Sequence, residues 1–394
     1  SHCLKTAHSM ITLQTARNKL VCSKRDNTKL NTIISNCENY WNTMQMLRHS
    51  INKISPICRV GTAISNSSKC KEIAFAIAKR CLVSGTLDDV IIREAQIEDH
   101  GAVMAIQPNL NEGMDSLNEY FPKYLANHSY KCYVAEMHRK LLAYMQYLTV
   151  DGGHTVVICE DRVKDDVKPP EVHELLRGYT MDKIKANSPK LENIYSMRLM
   201  EDPGGLHDIG KRRWSTFRAT NLTPIVWSGV KNTQLIAHDK FLDIMHDPET
   251  CEQLFPDKRI VSFWEVFDTV KGVETNISHI LNQSWVYVTY TDNPVNKATI
   301  ALSTGTPARC EKGLRLDIDF YGDRLDDFKS HIVAHCQRAI HYKEHHESLV
   351  PVLCFPAILD VKLVEDYCVN TLGWNSGPMS KDKPLFEPTK LHGN

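Results

Sequence analysis

The chain has 394 residues, 42% hydrophobic and 24% charged, with 47 Lys+Arg against 47 Asp+Glu and a formal net charge of zero. That balance suits an ordinary globular protein too long for one core, and it lacks the basic excess of a nucleic-acid binder. No apolar run is long enough to cross a bilayer, and the first residues lack the apolar core of a secretory signal. The 13 Cys include no CxxC pair, which argues against a disulfide framework and a zinc ribbon. The expectation is a cytoplasmic protein with free thiols, no nucleic-acid partner and no membrane partner. Asn66, Asn127, Asn221, Asn276 and Asn282 open N-x-S/T triplets, common enough by chance to carry little weight.

In chain order, residues 1–86 read as a helical extension, with helices at 12–20, 30–54 and 70–83 between Ser/Asn/Lys-rich breaks. From residue 88 the pattern sharpens. Val90-Ile91-Ile92-Arg93 is a short apolar strand. Residues 97–106 form a helix with Glu98 and Asp99 in its first turn, where negative charge suits the helix dipole. Residues 115–125 form a second, amphipathic helix through Leu117, Tyr120, Phe121, Tyr124 and Leu125. Strands follow at 132–136, 141–148 and 155–162, separated by His138-Arg139-Lys140 and Asp151-Gly152-Gly153, an antiparallel meander by its turns. A helix at 173–186, a strand at 193–199 and a helix at 206–217 complete the unit.

The C-terminal part repeats this grammar, with strands at 285–290, 298–302 and 314–320, a helix at 325–341, a strand at 350–355 and a helix at 361–372 closed by Gly373. The fold class is therefore α/β (an α+β mixed sheet), with a second, degenerate copy of the same unit. The expected domains are 1–86, 87–225 and 226–394.

Val90-Ile91-Ile92-Arg93-Glu94-Ala95 with Glu98-Asp99 resembles the opening strand and helix of the GNAT N-acetyltransferases. Asn109 to Glu112, Gly113-Met114-Asp115-Ser116-Leu117, Phe121-Pro122-Lys123-Tyr124-Leu125 and Tyr133-Val134-Ala135-Glu136 are similar to the histidine N-acetyltransferase group. In that group a second α/β domain follows the GNAT domain. Leu363-Val364-Glu365-Asp366-Tyr367-Cys368-Val369-Asn370-Thr371-Leu372-Gly373-Trp374 is similar to its C-terminal helix. The resemblance covers residues 88–376. It implies acetyl-CoA as co-substrate and a small-molecule amine or amino acid, such as histidine, as acceptor.

The resemblance also places the site. A pyrophosphate is met by N–H groups at a helix N-terminus, and the family's loop uses glycines for close approach. Here that loop falls at 164–173, where Pro169, Pro170 and Glu171 occupy the positions that family uses for glycine, and Asp165 and Asp166 add repulsion. The expected cofactor-binding residues are Arg162, Val163, Lys164, Lys168, Val172, His173 and Glu174. The expected base is Glu160, on the strand before the loop, where a carboxylate of raised pKa would take the amine's proton. The plainer alternative makes Glu160, Asp161 and Arg162 surface charges at a strand end. Arg198-Leu199 and Asp202-Pro203-Gly204 match the family's next segment, without its Asn or the Tyr of the following helix. His341 and His345 at i,i+4 read as a solvated helix end, and no metal is expected. Two functions follow, an N-acetyltransferase or a catalytically inactive GNAT-like pseudoenzyme kept as a binding or structural module.

Overall fold

The computed structural model describes residues 89–108, 110–164, 170–196, 212–219, 233–291, 298–342 and 348–376, all within the unit Gly85–Asn394. The helices expected in 1–86 lie outside the described residues. So do Lys168, Pro169, Arg198-Leu199, Asp202-Pro203-Gly204 and His345.

Strand β1 (Ile91–Glu94) leads through a 3-10 turn at Ile97–Asp99 into helices α1 (His100–Met104) and α2 (Leu117–Ala126). Strands β2 (Tyr130–Met137), β3 (Lys140–Val150) and β4 (Thr155–Val163) follow, then α3 (Pro170–Asn187) and β5 (Asn193–Ser196). They form one sheet in the order β1-β2-β3-β4-β5, antiparallel except for the parallel pair β4–β5. The β2–β3 turn is the tight hairpin expected from its charged residues, with His138 and Arg139 at φ of 51° and 62°. The β3–β4 register jumps from Tyr147↔Ile158 to Gln146↔Glu160, so Cys159 is a bulge residue. The described β4–β5 pairs end at Ile158↔Ser196, while β4 runs on to Val163.

The second sheet is built from β6 (Arg212–Arg218), β7 (Thr233–Leu235), β10 (Trp285–Tyr290), β11 (Thr299–Cys310), β12 (Gly313–Tyr321), β13 (Leu349–Pro356) and β14 (Asn375–Ser376). Its order is β14-β6-β13-β12-β11-β10-β7, and only β12–β13 are parallel. The run β7-β10-β11-β12-β13 therefore repeats β1 to β5 in order and direction. Helix α7 (Leu325–Ile340) makes the crossover that α3 makes in the first sheet, and α8 (Val361–Asp366) follows β13. Between β7 and β10 lie α4 (His238–Met245), α5 (Pro248–Leu254), the hairpin β8 (Arg259–Ser262) and β9 (Glu265–Asp268), and α6 (Val273–Gln283).

One expectation is corrected. Of the helix expected at 206–217, residues 206–211 lie outside the described residues, and 212–217 belong to a strand, Arg212–Arg218, hydrogen-bonded into the second sheet through Val352↔Thr216 and Cys354↔Trp214. Trp, Ser, Thr and Phe in a row suit a pleated, half-buried surface, and the edge of β13 supplies the ladder.

Three apolar layers result. Tyr133, Met145, Val156 and Ile158 pack under Val172, Leu176 and Ile184 of α3. Phe217, Leu316, Phe328, Ile332, Leu353 and Trp374 fill the far face of the second sheet. The middle layer is shared: Phe121, Tyr144 and Val157 of the first half join Phe241, Ile277, Val286 and Tyr321 of the second. The Asp151 turn seals it, accepting hydrogen bonds from Asp268 N and Asn276 Nδ2, both at 2.8 Å. Gly272 allows the approach, since a Cβ there would lie 2.5 Å from Gly152 N. Asn276 is thus buried against Asp151, and its N-x-S triplet presents no exposed amide. Among the described residues no helix is long and apolar enough to cross a membrane.

Candidate functional site

On β3 and β4 the side chains alternate between α3 and the shared middle layer. Tyr144↔Arg162 and Gln146↔Glu160 are register partners, and Tyr144 lies in the middle layer. Glu160 and Arg162 therefore face the middle layer, as i and i+2 on one face of a strand. The bulge brings Cys159 to the same side, where it packs against that layer.

Arg162 is fully buried and forks onto Asp115, which stands just before α2, with NH1 and NH2 donating at 2.7 and 2.8 Å. Its Nε donates to Glu160 at a longer 3.3 Å. Glu160 keeps 27% of its side-chain exposure. Even so, burial pushes its carboxyl above the usual carboxylate range; Arg162 opposes that shift and the charge of Asp115 adds to it. Glu160 is thus a partly exposed carboxylate whose surroundings disfavour its charge. Cys159 is similar, half-buried, with burial and the charge of Glu265 pushing its thiol well up.

The second half packs against the same layer. Arg315 on β12 donates to the Met114 carbonyl at 2.8 Å and forks onto Asp317 at 2.6 and 2.7 Å. The guanidinium lies over the Trp264 ring at 5.3 Å, and Trp264 Nε1 donates to Asp317 at 2.8 Å. Trp264 and Phe263 form the β8–β9 turn at φ of 70° and 49°, a left-handed backbone that bulky residues rarely adopt. Phe263 N is held by Asp319 at 3.1 Å. Glu265, which follows Trp264, accepts from Tyr130 of β2 and lies 3.0 Å from His279 Nε2. Gln283 Nε2 donates to Tyr130 Oη at 2.9 Å. The hairpin also reaches β5, with Arg259 donating to Tyr195 Oη at 3.3 Å.

The other expected residues lie at the end of β4 and the start of α3. Val163 ends β4, and Lys164 N donates to the Leu142 carbonyl at 2.9 Å. His173 is in contact with Asp161 through Nε2, at 2.7 Å, which ties the first turn of α3 to β4. Val172 is buried in the α3 layer, and Glu174 is exposed at 66% of its side chain. With α3 starting at Pro170, the N–H of Glu174 reaches back to the Pro170 carbonyl in the i−4 pattern. The donors left over thus come from the first turn, before Glu174.

The residues around Glu160 divide by how far apart they lie in sequence. Glu160 and Arg162 could be found locally, as a Glu-x-Arg pair on a strand. The pairing of Asp115 with Arg162, of Glu265 with Tyr130, and of Arg315 with the Met114 carbonyl could not, because those partners lie far along the chain. Local signals remain for Asp115 at a helix start, where its Oδ1 accepts from Leu117 N at 3.0 Å, and for Arg315, whose partner Asp317 is two residues on along β12. Among the described residues no group of three or more His, Cys, Asp or Glu side chains is placed to hold a metal ion.

The family described as Histidine N-acetyltransferase, C-terminal matches residues 230–355, which run from the start of β7 almost to the end of β13. No curated protein matches the chain. Among solved structures the chain is similar to a tandem GNAT protein from the clavulanic acid biosynthesis pathway, at 9% identity over 77% of this chain and 99% of that one, with a TM-score of 0.47. It is also similar to a GCN5-related N-acetyltransferase from Sphaerobacter thermophilus, at 10% identity over 78% and 97%, with a TM-score of 0.47. N-acetylglutamate synthase from Neisseria gonorrhoeae, solved with coenzyme A and N-acetyl-glutamate, is similar over 38% of this chain and 30% of that one, at 14% identity and a TM-score of 0.25.

Proposed function

We propose that this chain, of the histidine N-acetyltransferase type within the GNAT superfamily by its match over residues 230–355, transfers acetyl from acetyl-CoA to the amine of a small molecule. The α-amino group of histidine is the first acceptor to test. The observation that carries this reading is Glu160, an accessible carboxylate on the inner face of β4 whose affinity for a proton is raised by burial.

Glu160 takes the proton of the incoming ammonium, directly or through water, and a raised pKa suits that task near neutral pH. The freed amine then attacks the thioester carbonyl; the new N–C bond forms, the C–S bond breaks, and the second proton lost by the nitrogen passes to the departing thiolate, directly or through water, so that coenzyme A leaves as the thiol. The acetyl thioester supplies the activated acyl group. No covalent enzyme intermediate is needed, so holding the two reactants together supplies much of the rate. The pyrophosphate falls to the first turn of α3, and Lys164 and Lys168 are the cations that precede that turn in the sequence. Pro170 at the first helical position sacrifices no helical hydrogen bond. Glu171 in the same turn works against an anion.

The test is acetyl transfer by the purified full chain to a panel of amino acids, followed by mass of the product. The expected result is an N-acetylated amino acid, with histidine among the acceptors. Acetyl-CoA binding with transfer to no amine would instead support the inactive module.

A further inference from the structure

The geometry points to Asp115 and Arg315 as positioning residues that keep Glu160 weakly paired, a role that rests on the reading of Glu160 as the base. Arg162 stands two residues from Glu160 on the same strand face. Left to itself, its fork would close on Glu160 with two parallel hydrogen bonds, the strongest geometry between these groups. A carboxylate held that way is a poor base. Instead both terminal nitrogens of Arg162 are engaged by Asp115 at 2.7 and 2.8 Å, and only Nε remains, 3.3 Å from Glu160.

Asp115 is itself fixed from two sides. Its Oδ1 accepts from Leu117 N at 3.0 Å, and the carbonyl just before it, on Met114, accepts from Arg315 at 2.8 Å. Arg315 is held in turn by Asp317 at 2.6 and 2.7 Å. The chain of contacts thus runs from β12 of the second half to Glu160 of the first. Its members Arg162, Asp115, Arg315 and Asp317 keep 0, 9, 6 and 4% of their side-chain exposure, against 27% for Glu160. Three carboxylates face two guanidiniums, and the carboxylate in excess is the accessible one. The second half therefore acts on the first by keeping the two terminal nitrogens of Arg162 off the base.

The test is the acid limb of the pH profile of kcat/KM, which reports ionisation of the base in the free enzyme. Asp115→Asn loosens the clamp on Arg162 and removes a neighbouring negative charge, and both changes lower the pKa of Glu160. The acid limb is expected to move down by about one pH unit, with a plateau about tenfold lower. The double variant Asp115→Asn/Arg162→Gln leaves no buried charge unpaired and takes the cation away from Glu160, so its acid limb is expected to move above that of the unmodified enzyme. Opposite shifts in the two variants are not what loss of stability produces. If Asp115→Asn does not fold, the double variant alone decides. An unshifted limb in variants that still bind acetyl-CoA with unchanged affinity overturns the positioning role. A fully active Glu160→Gln enzyme overturns the base reading itself, without reference to Asp115.

Discussion

The two crossovers, β4-α3-β5 and β12-α7-β13, share direction and order but use their charges differently. On β4 one carboxylate, Glu160, keeps access to solvent while its arginine is buried. On β12, Arg315, Asp317 and Asp319 occupy alternate positions of the strand, and all three are buried and paired. The helices differ as well. Helix α3 seats Val172, Leu176 and Ile184 on its sheet. Helix α7 buries His331 and His335 completely, with Ser303 Oγ 2.5 Å from His331 Nδ1 and 2.7 Å from His335 Nε2. The turn before α7 is short, Gly322 to Arg324, and Asp326 and Asp327 open the helix, a poor place for a phosphate. Under the proposed function, the first copy carries the proton transfer and the second supports it.

Substitutions that separate catalysis from stability test this division, taken from the largest expected effect downward. Glu160→Gln should lower kcat by roughly 10²- to 10⁴-fold, the usual worth of a general base, with acetyl-CoA affinity unchanged by calorimetry. A comparable loss of affinity would place Glu160 in binding and blur the distinction. Leu316→Ala, at a fully buried position on β12, should cost about 2–5 kcal/mol in denaturant unfolding and leave kcat per folded molecule intact. A fall in kcat without loss of stability would move chemistry into the second half.

The buried histidines predict an acid-sensitive second half. Burial alone lowers the pKa of His331 to about 3, and that of His335 falls well below the usual histidine range. The unfolded chain therefore takes up protons that the folded chain refuses. Stability from these groups is complete above about pH 6.5 and declines as pH falls toward 3, by about 1.4 kcal/mol per pH unit for each histidine. His331→Gln should flatten the pH dependence of unfolding in that window; an unchanged slope would mean that the histidine is protonated in the fold. The smallest effect is expected at the start of α5, where the Asp247 side chain accepts from Glu249 N at 3.3 Å. Asp247→Ala should cost about 1 kcal/mol and leave activity alone.

The first sheet was legible in the sequence because its strands are short apolar runs and its turns carry their own chemistry at His138-Arg139 and Asp151-Gly152. Glu160 and Arg162 were legible for the same reason, being neighbours on one strand. Strand β6 was not, because its ladder partner, β13, lies more than a hundred residues away. The β8–β9 hairpin was not legible either. Two-residue hairpin turns announce themselves through Gly or Asn, and this one places Phe263 and Trp264 there. Packing of Phe263 on Tyr120, with ring centroids 4.8 Å apart, and the Asp319 and Asp317 hydrogen bonds offset that strain. Asp115 was visible as a helix-start residue, but its pairing with Arg162 across 47 positions was not.

The most direct measurement of the central claim is a calorimetric titration of acetyl-CoA into the purified full chain. Saturable one-to-one binding below millimolar concentration is expected, abolished by free coenzyme A in excess and retained in Glu160→Gln. No heat of binding at millimolar acetyl-CoA would contradict it and leave the chain an acyltransferase fold without its donor.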